Sequence, residues 1–202
     1  MAVVVAAALA AGAAASVAAA VALAVAVHRD AGEMSTSLQR LWTHACTGQL
    51  ALRRRFPPAT LAAIETAIRD CESRHAGEIR FAVEPALRLS AVWREQGPRQ
   101  RALAAFAELG VWDTAHNNGV LIYVLLADQA VEIVADRGVS SQRVPVAEWE
   151  AVCRLMESHY RSGAFREGSV AGIEAVADVL SRYPPAFPDA GNELPDAPVL
   201  LR

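Results

Sequence analysis

The chain contains no lysine; all 19 of its basic residues are arginine. That absence removes Schiff-base chemistry and the lysine of a P-loop, both of which need an amine side chain. Cysteine is scarce: Cys46, Cys71 and Cys153 are three widely spaced residues with no CxxC pair among them. A thiolate zinc site is excluded by that spacing. Cys71 and Cys153 fall on apolar helix faces, where a free thiol behaves as a small hydrophobe, and a reducing compartment fits this usage. No cysteine is followed six positions later by arginine, and the sequence has no DxDx[TV], RHG, GxSxG, HExxH or glycine-rich nucleotide loop. A conventional nucleophilic or nucleotide-binding enzyme therefore has no motif here. Nor is there a basic excess. The net charge is −3 and the pI is near 6.0, which argues against nucleic acid as a partner.

What is present begins with a long apolar run. Residues 1–33 are rich in alanine and valine. Residues 3–27 are long enough to cross a bilayer, but no arginine precedes them. Three readings fit: a membrane anchor or uncleaved signal, a cleaved signal, and a coding start at Met34. For an anchor, Arg29, Arg40 and Arg53–Arg55 all follow the span, which places the domain on the cytoplasmic side; an exported protein is the alternative. Residues 34–56 read as a linker or loose helix with Leu38, Leu41 and Trp42 on one face, ending in a solvated or headgroup-facing arginine cluster.

The domain proper is expected over residues 57–183. Pro57 and Pro58 open a helix with Leu61, Ile64, Ile68 and Cys71 on one side. Residues 78–84 alternate as a strand, with Ile79, Phe81 and Val83 pointing one way. Residues 86–112 are mainly helical. Residues 120–126 are apolar on both faces, as a central strand requires, and Val131–Ile133 alternate as its hairpin partner. Two helices follow. The first opens at Pro145 with Trp149, Val152, Cys153, Met156 and Tyr160. The second carries Val170, Ile173, Val176, Ala177 and Leu180, with Gly168 and Gly172 allowing close packing. Trp112 and Trp149 read as core aromatics, and Asp128 as a hairpin-loop residue. Residues 184–202 are proline-rich and read as a disordered tail. The fold class expected is α/β: a small mixed sheet, made of a β-hairpin plus one parallel strand, covered by helices on both faces.

This topology predicts one polar locus. Parallel strands start at one sheet edge, and the returning hairpin strand ends there. Glu78, Asp113, His116, Asn117, Asn118, Asp136 and Arg137 are thereby brought to one end of the sheet. Carboxylates with amide oxygens suit a hard cation, Ca²⁺ or Mg²⁺. The candidate ligands are Glu78, Asp113 and Asp136, with Asn117, Asn118 and Arg137 as further binding groups. The purely structural reading is a tight Asn-Asn-Gly turn beside an Asp-Arg-Gly turn.

The order Asn118-Gly119-Val120-Leu121-Ile122, Asp128, Val131–Val134, Gly138, then Glu148 and Trp149 and a glycine-punctuated last helix, resembles the TPM domain over nearly all of residues 57–183. The resemblance implies a sandwich of helices around a short sheet, in proteins often tethered to membranes or exported. It implies accessory or modulator roles in membrane complexes. For some members it implies Ca²⁺ bound by acidic residues at a sheet edge, and for plant members a proposed acid phosphatase activity. The chain departs from the family where an aspartate-containing motif precedes the first helix; Arg53-Arg54-Arg55-Phe56-Pro57-Pro58 stands there instead. The function expected is thus a non-catalytic accessory domain that binds a partner protein, with a metal-assisted phosphomonoesterase as the alternative.

Overall fold

The computed structural model describes residues 25–26, 38–139, 143–184 and 191–202. In chain order the elements are β1 (Val25–Ala26), α1 (Leu38–Cys46), α2 (Gln49–Arg55), α3 (Pro58–Glu72), β2 (Glu78–Glu84), α4 (Leu89–Trp93) and α5 (Pro98–Glu108). Then come β3 (Gly119–Leu125), β4 (Ala130–Ala135), a 3₁₀ turn (Arg137–Val139), α6 (Val146–Arg161), α7 (Phe165–Arg182) and β5 (Val199–Leu200). The sheet order is β1-β4-β3-β2-β5. β2 and β3 are parallel with Glu78 opposite Gly119, and β3 and β4 form the antiparallel hairpin. The mixed sheet and the layering are as the sequence predicts; the short strands β1 and β5 extend it at either edge.

Strand alternation divides the interior into two cores. Ile79, Phe81, Val83, Val120, Ile122, Val124, Val131 and Ile133 face a large core completed by α3, α6 and α7. Ala82, Leu121, Tyr123, Leu125 and Val134 face a smaller one under α4 and α5. This is why β3 is apolar at every position: it is covered on both sides. α7 can lie close to α6 because a Cβ at Gly172 would collide with the Met156 side chain, and one at Gly168 with the Cβ of His159. Burial pushes the Cys71 thiol up to about 12, so it stays a protonated core group.

Two side chains bond the stretch of the outer β4 edge that β1 leaves open. Glu157 Oε1 accepts the Val131 N–H at 3.3 Å, and Arg99 Nη1 donates to the Ile133 carbonyl at 2.7 Å. These charged groups occupy part of an edge that would otherwise template another strand, and β1 pairs with the rest at Val134 and Ala135.

Several expectations need correction. Residues 38–55 are two ordered helices, and Leu52 and Phe56 belong to the main core, so the folded unit begins well before residue 57. Leu38, Leu41 and Trp42 do not share one face: Leu41 packs on the smaller core, while Leu38 and Trp42 are exposed. α1 instead buries Arg40 and His44, because a buried carboxylate waits for them. Trp149 is in the core, but Trp112 is exposed. The tail is structured over residues 191–202. Leu194 joins the smaller core, Leu201 N–H donates to the Val83 carbonyl, and Arg80 donates to the carbonyls of Pro195 and Ala197. Proline-rich composition concealed three apolar residues, Leu194, Val199 and Leu201, that pack on the sheet margin. The expectation for residues 1–33 lies outside the described residues, except at Val25–Ala26. That pair occupies the β4 edge. Among the described residues no helix is long and apolar enough to cross a membrane.

Candidate functional site

The predicted locus exists as a place. Glu78 N–H donates to the Asn118 carbonyl at 3.2 Å, Asp136 N–H to the Gly119 carbonyl at 2.9 Å, and Gly138 N–H to the Asn117 carbonyl at 2.7 Å. Glu78, Asn117, Asn118, Asp136 and Arg137 therefore share one sheet end. Asn117 adopts φ 52°, a left-handed conformation that asparagine tolerates. Asp113 is exposed on the preceding turn, which its own N–H closes on Gly110.

The side chains tell a different story from the backbone. Alternation puts Glu78 and Asp136 on the α5 side of the sheet, flanking Gly119. They are two strand spacings apart, about 10 Å. The Val111 carbonyl sits directly over Gly119 and fills the space between them. Glu78 Oε2 accepts the N–H groups of Glu193 and Leu194 at 3.2 and 3.1 Å, and Glu193 in turn accepts the Ala115 N–H at 2.8 Å. The C-terminal segment thus straps this end of the sheet and engages the carboxylate expected to bind metal. Asp136 Oδ1 accepts the Arg137 N–H at 2.7 Å, and burial raises the Asp136 carboxyl against that bond and the Arg137 charge. Asn118 is buried and donates to the Ala76 carbonyl.

Among the described residues, two buried oxygens at this end, Asp136 Oδ2 and Asn118 Oδ1, have no hydrogen-bond partner. They are the observation in favour of a cation here. Calcium takes 6–8 oxygens and magnesium a near-ideal octahedron, and the residues present fall short of that. Among the described residues no group of three or more His, Cys, Asp or Glu side chains is arranged to hold a metal ion. The donor set among the described residues falls short of a metal centre.

The strap has a measurable consequence. Ending the chain at residue 190 removes the Glu193 and Leu194 N–H groups from Glu78 Oε2, together with the β5 edge. Amide hydrogen exchange is expected to rise by about tenfold or more at Ile79–Val83 and around Ala115, with α6 and α7 unchanged. Unchanged protection on β2 after the truncation contradicts the strap.

The opposite end of the sheet carries the charges that sequence reasoning missed. Arg40 donates to both Asp128 oxygens, Nη2 at 2.8 Å and Nε at 3.1 Å, and to the Gln96 carbonyl. His44 Nε2 is 3.0 Å from Asp128 Oδ1, and its Nδ1 accepts the Leu87 N–H at 3.0 Å. The second bond assigns the ring proton to Nε2, directed at the carboxylate. Burial by itself raises the Asp128 carboxyl, but the bonds from His44 and Arg40 outweigh it and hold it at about 2. Beside this, Glu84 Oε2 accepts from the Tyr123 hydroxyl at 2.6 Å and from Arg101 Nε at 2.8 Å, and Arg101 also bonds Glu108. Burial and the Glu84 carboxylate push the Tyr123 phenol up. Arg99 lies 3.6 Å from Glu132. The His44 ring is fully buried, with both nitrogens engaged, so the Asp–His pair has no open face for substrate. It is a structural clasp between α1 and the hairpin turn.

Comparison with known proteins agrees with this fold. The family model of the TPM domain matches residues 54–179. The NMR structure of the BA42 protein from the psychrophilic bacterium Bizionia argentinensis is similar at 31% identity and a TM-score of 0.61, covering 71% of this chain and 93% of that one. The N-terminal domain of a P. gingivalis protein shares the fold at 22% identity and a TM-score of 0.50, covering 62% and 76%. No curated protein matches.

Proposed function

Because this chain belongs to the TPM domain family, we propose that it is an accessory domain that works by binding a partner protein and carries out no reaction of its own. One observation carries this reading. α1 and α4 pack side by side, and both turn large apolar residues to solvent: Leu38 is 83% exposed, Trp42 72%, Leu89 50% and Trp93 72%. Single exposed hydrophobes are ordinary; two tryptophans and two leucines on adjoining helices form the kind of patch that protein interfaces use. Arg88 and Arg94 are exposed beside it and supply a polar rim. The charged clasp of Arg40, His44 and Asp128 supports this reading, since it holds α1 with its apolar face outward. The apolar N-terminal segment would keep such a domain at a cytoplasmic membrane face, beside a membrane complex.

Affinity capture with the full chain, from membranes and from cytosol, tests the reading when run beside Trp42→Ser/Trp93→Ser. A protein retained by the parent and lost by roughly tenfold or more with the double variant is expected. Equal recovery by both, or none by either, refutes it.

A second reading, a cation-dependent phosphomonoesterase, is favoured only by the unpartnered Asp136 Oδ2 and Asn118 Oδ1. Calorimetry with Ca²⁺ and with Mg²⁺, and a phosphate-ester assay with the parent and Asp136→Asn, separate it. Heat of binding and turnover that both vanish in the variant would replace the first reading.

A further inference from the structure

A cavity of about 310 Å³ opens at the hairpin end of the sheet, on the main-core side, between α2, the end of β3 and the α6–α7 junction. That volume is at the small end of the ~300–1,000 Å³ occupied by small-molecule sites. It lies beyond the carboxyl end of parallel strand β3, where open α/β sheets characteristically place ligands. Its floor is apolar, formed by Val124, Leu126 and Phe165. Its polar wall is Arg55, Arg161, Gln129 and Glu157.

The charges select the ligand. Glu157 is committed on the inner wall, accepting from the Val131 N–H and from Arg161 Nη2, both at 3.3 Å. Arg55 lies over the Phe165 ring at 5.4 Å, which fixes a guanidinium at the junction of the apolar and polar surfaces. Two arginines against one glutamate leave one net positive charge in the lining. Arg53 and Arg54, exposed in the same last turn of α2, strengthen that potential in a molecule of net charge −3. Guanidinium forks suit planar oxyanions. One net charge matches a carboxylate better than a phosphate monoester, which carries about −1.5 to −2.

We infer that this cavity is a binding site for a small organic carboxylate with an apolar body the size of a single ring. The carboxylate lies between Arg55 and Arg161, and the body rests on Phe165, Val124 and Leu126. The site is at the other end of the sheet from Asp136 and on the main-core face, whereas α4, which carries Trp93, packs over the smaller core, so it stands or falls apart from the proposed function.

The test is a titration of the isotope-labelled full chain followed by NMR, with phenylacetate as the probe. Saturable shifts are expected at the amides of Gln129, Gly163 and Phe165. The neutral phenylacetamide should bind at least about tenfold more weakly, because it forfeits the charge-assisted bonds. Arg55→Gln and Arg161→Gln should each weaken phenylacetate by about tenfold. The unperturbed remainder of each variant's spectrum reports that it is folded. No saturable shift at about 10 mM phenylacetate, equal binding of the amide, or full affinity in both variants overturns the site. Tighter binding of phenyl phosphate than of phenylacetate overturns the carboxylate assignment.

Discussion

Replacing Asp128 with alanine is expected to destabilise the domain by about 3–5 kcal/mol, because it strands the Arg40 charge beneath the surface with its partner removed. The Arg40 and Asp128 side chains are 8% and 4% exposed, so solvent screens the pair little. Urea denaturation of the parent and the variant measures the loss. A midpoint shift worth less than about 1 kcal/mol would mean that α1 is not clasped as described. Asp128→Asn retains the shape and should cost less. It also supplies the pH test. The Asp128 carboxyl sits at about 2, below its ordinary 3.8. A depressed carboxylate contributes stability that is complete above pH 3.8 and disappears as the pH falls towards 2, here about 2 kcal/mol. The stability gap between parent and Asp128→Asn should therefore be constant above about pH 5 and narrow steadily below pH 4. A gap that does not change with pH contradicts the pairing.

Gly119→Ala should be nearly as damaging, at about 3 kcal/mol and a fall in melting temperature of about 10 °C. A Cβ there meets the Val111 carbonyl oxygen far inside contact distance and lies 2.9 Å from Val111 Cγ1. The obstacle is backbone, so no side-chain rotation relieves it. Gly138→Ala meets the carbonyls of His116 and Asn117 and should behave alike. At Gly97, which precedes α5, nothing lies within 4 Å of the point a Cβ would occupy, and Gly97→Ala should stay within about 1 kcal/mol of the parent. Calorimetric scans of the three variants decide it; a Gly119 variant as stable as the Gly97 variant removes the close approach.

These two results concern the two ends of one sheet, and the ends are not equally legible. The run from Val120 to Leu126 announces a strand buried on both faces, and the alternation of Ile79, Phe81 and Val83 announces its neighbour. Chain direction then requires Glu78, Asn118 and Asp136 to meet, and they do. Whether their side chains converge is a separate matter. Val111 and the Glu193–Leu194 backbone hold them apart, and both come from segments whose position no periodicity reveals. At the other end, Asp128 looks like any hairpin-loop residue, since its partners Arg40 and His44 lie 88 and 84 positions away. Periodicity misleads at α1 for the same reason. Its residues Leu38, Leu41 and Trp42 suggest one apolar face, but with Arg40 and His44 drawn to the buried carboxylate only Leu41 packs inward.

The amino-acid sequence by itself determined the mixed sheet, its parallel and antiparallel pairings, the helices on both faces and the family. Hydrophobic period and chain direction are local quantities, and they suffice for the sheet and the helices; the family rests on the resemblance of the ordered motifs from Asn118 to Trp149. Only the tertiary structure decided which charges are buried together, which tryptophans remain in solvent, and that the tail straps Glu78. A buried ion pair or a backbone cap is chosen by proximity after folding, among residues that sequence spacing leaves unrelated.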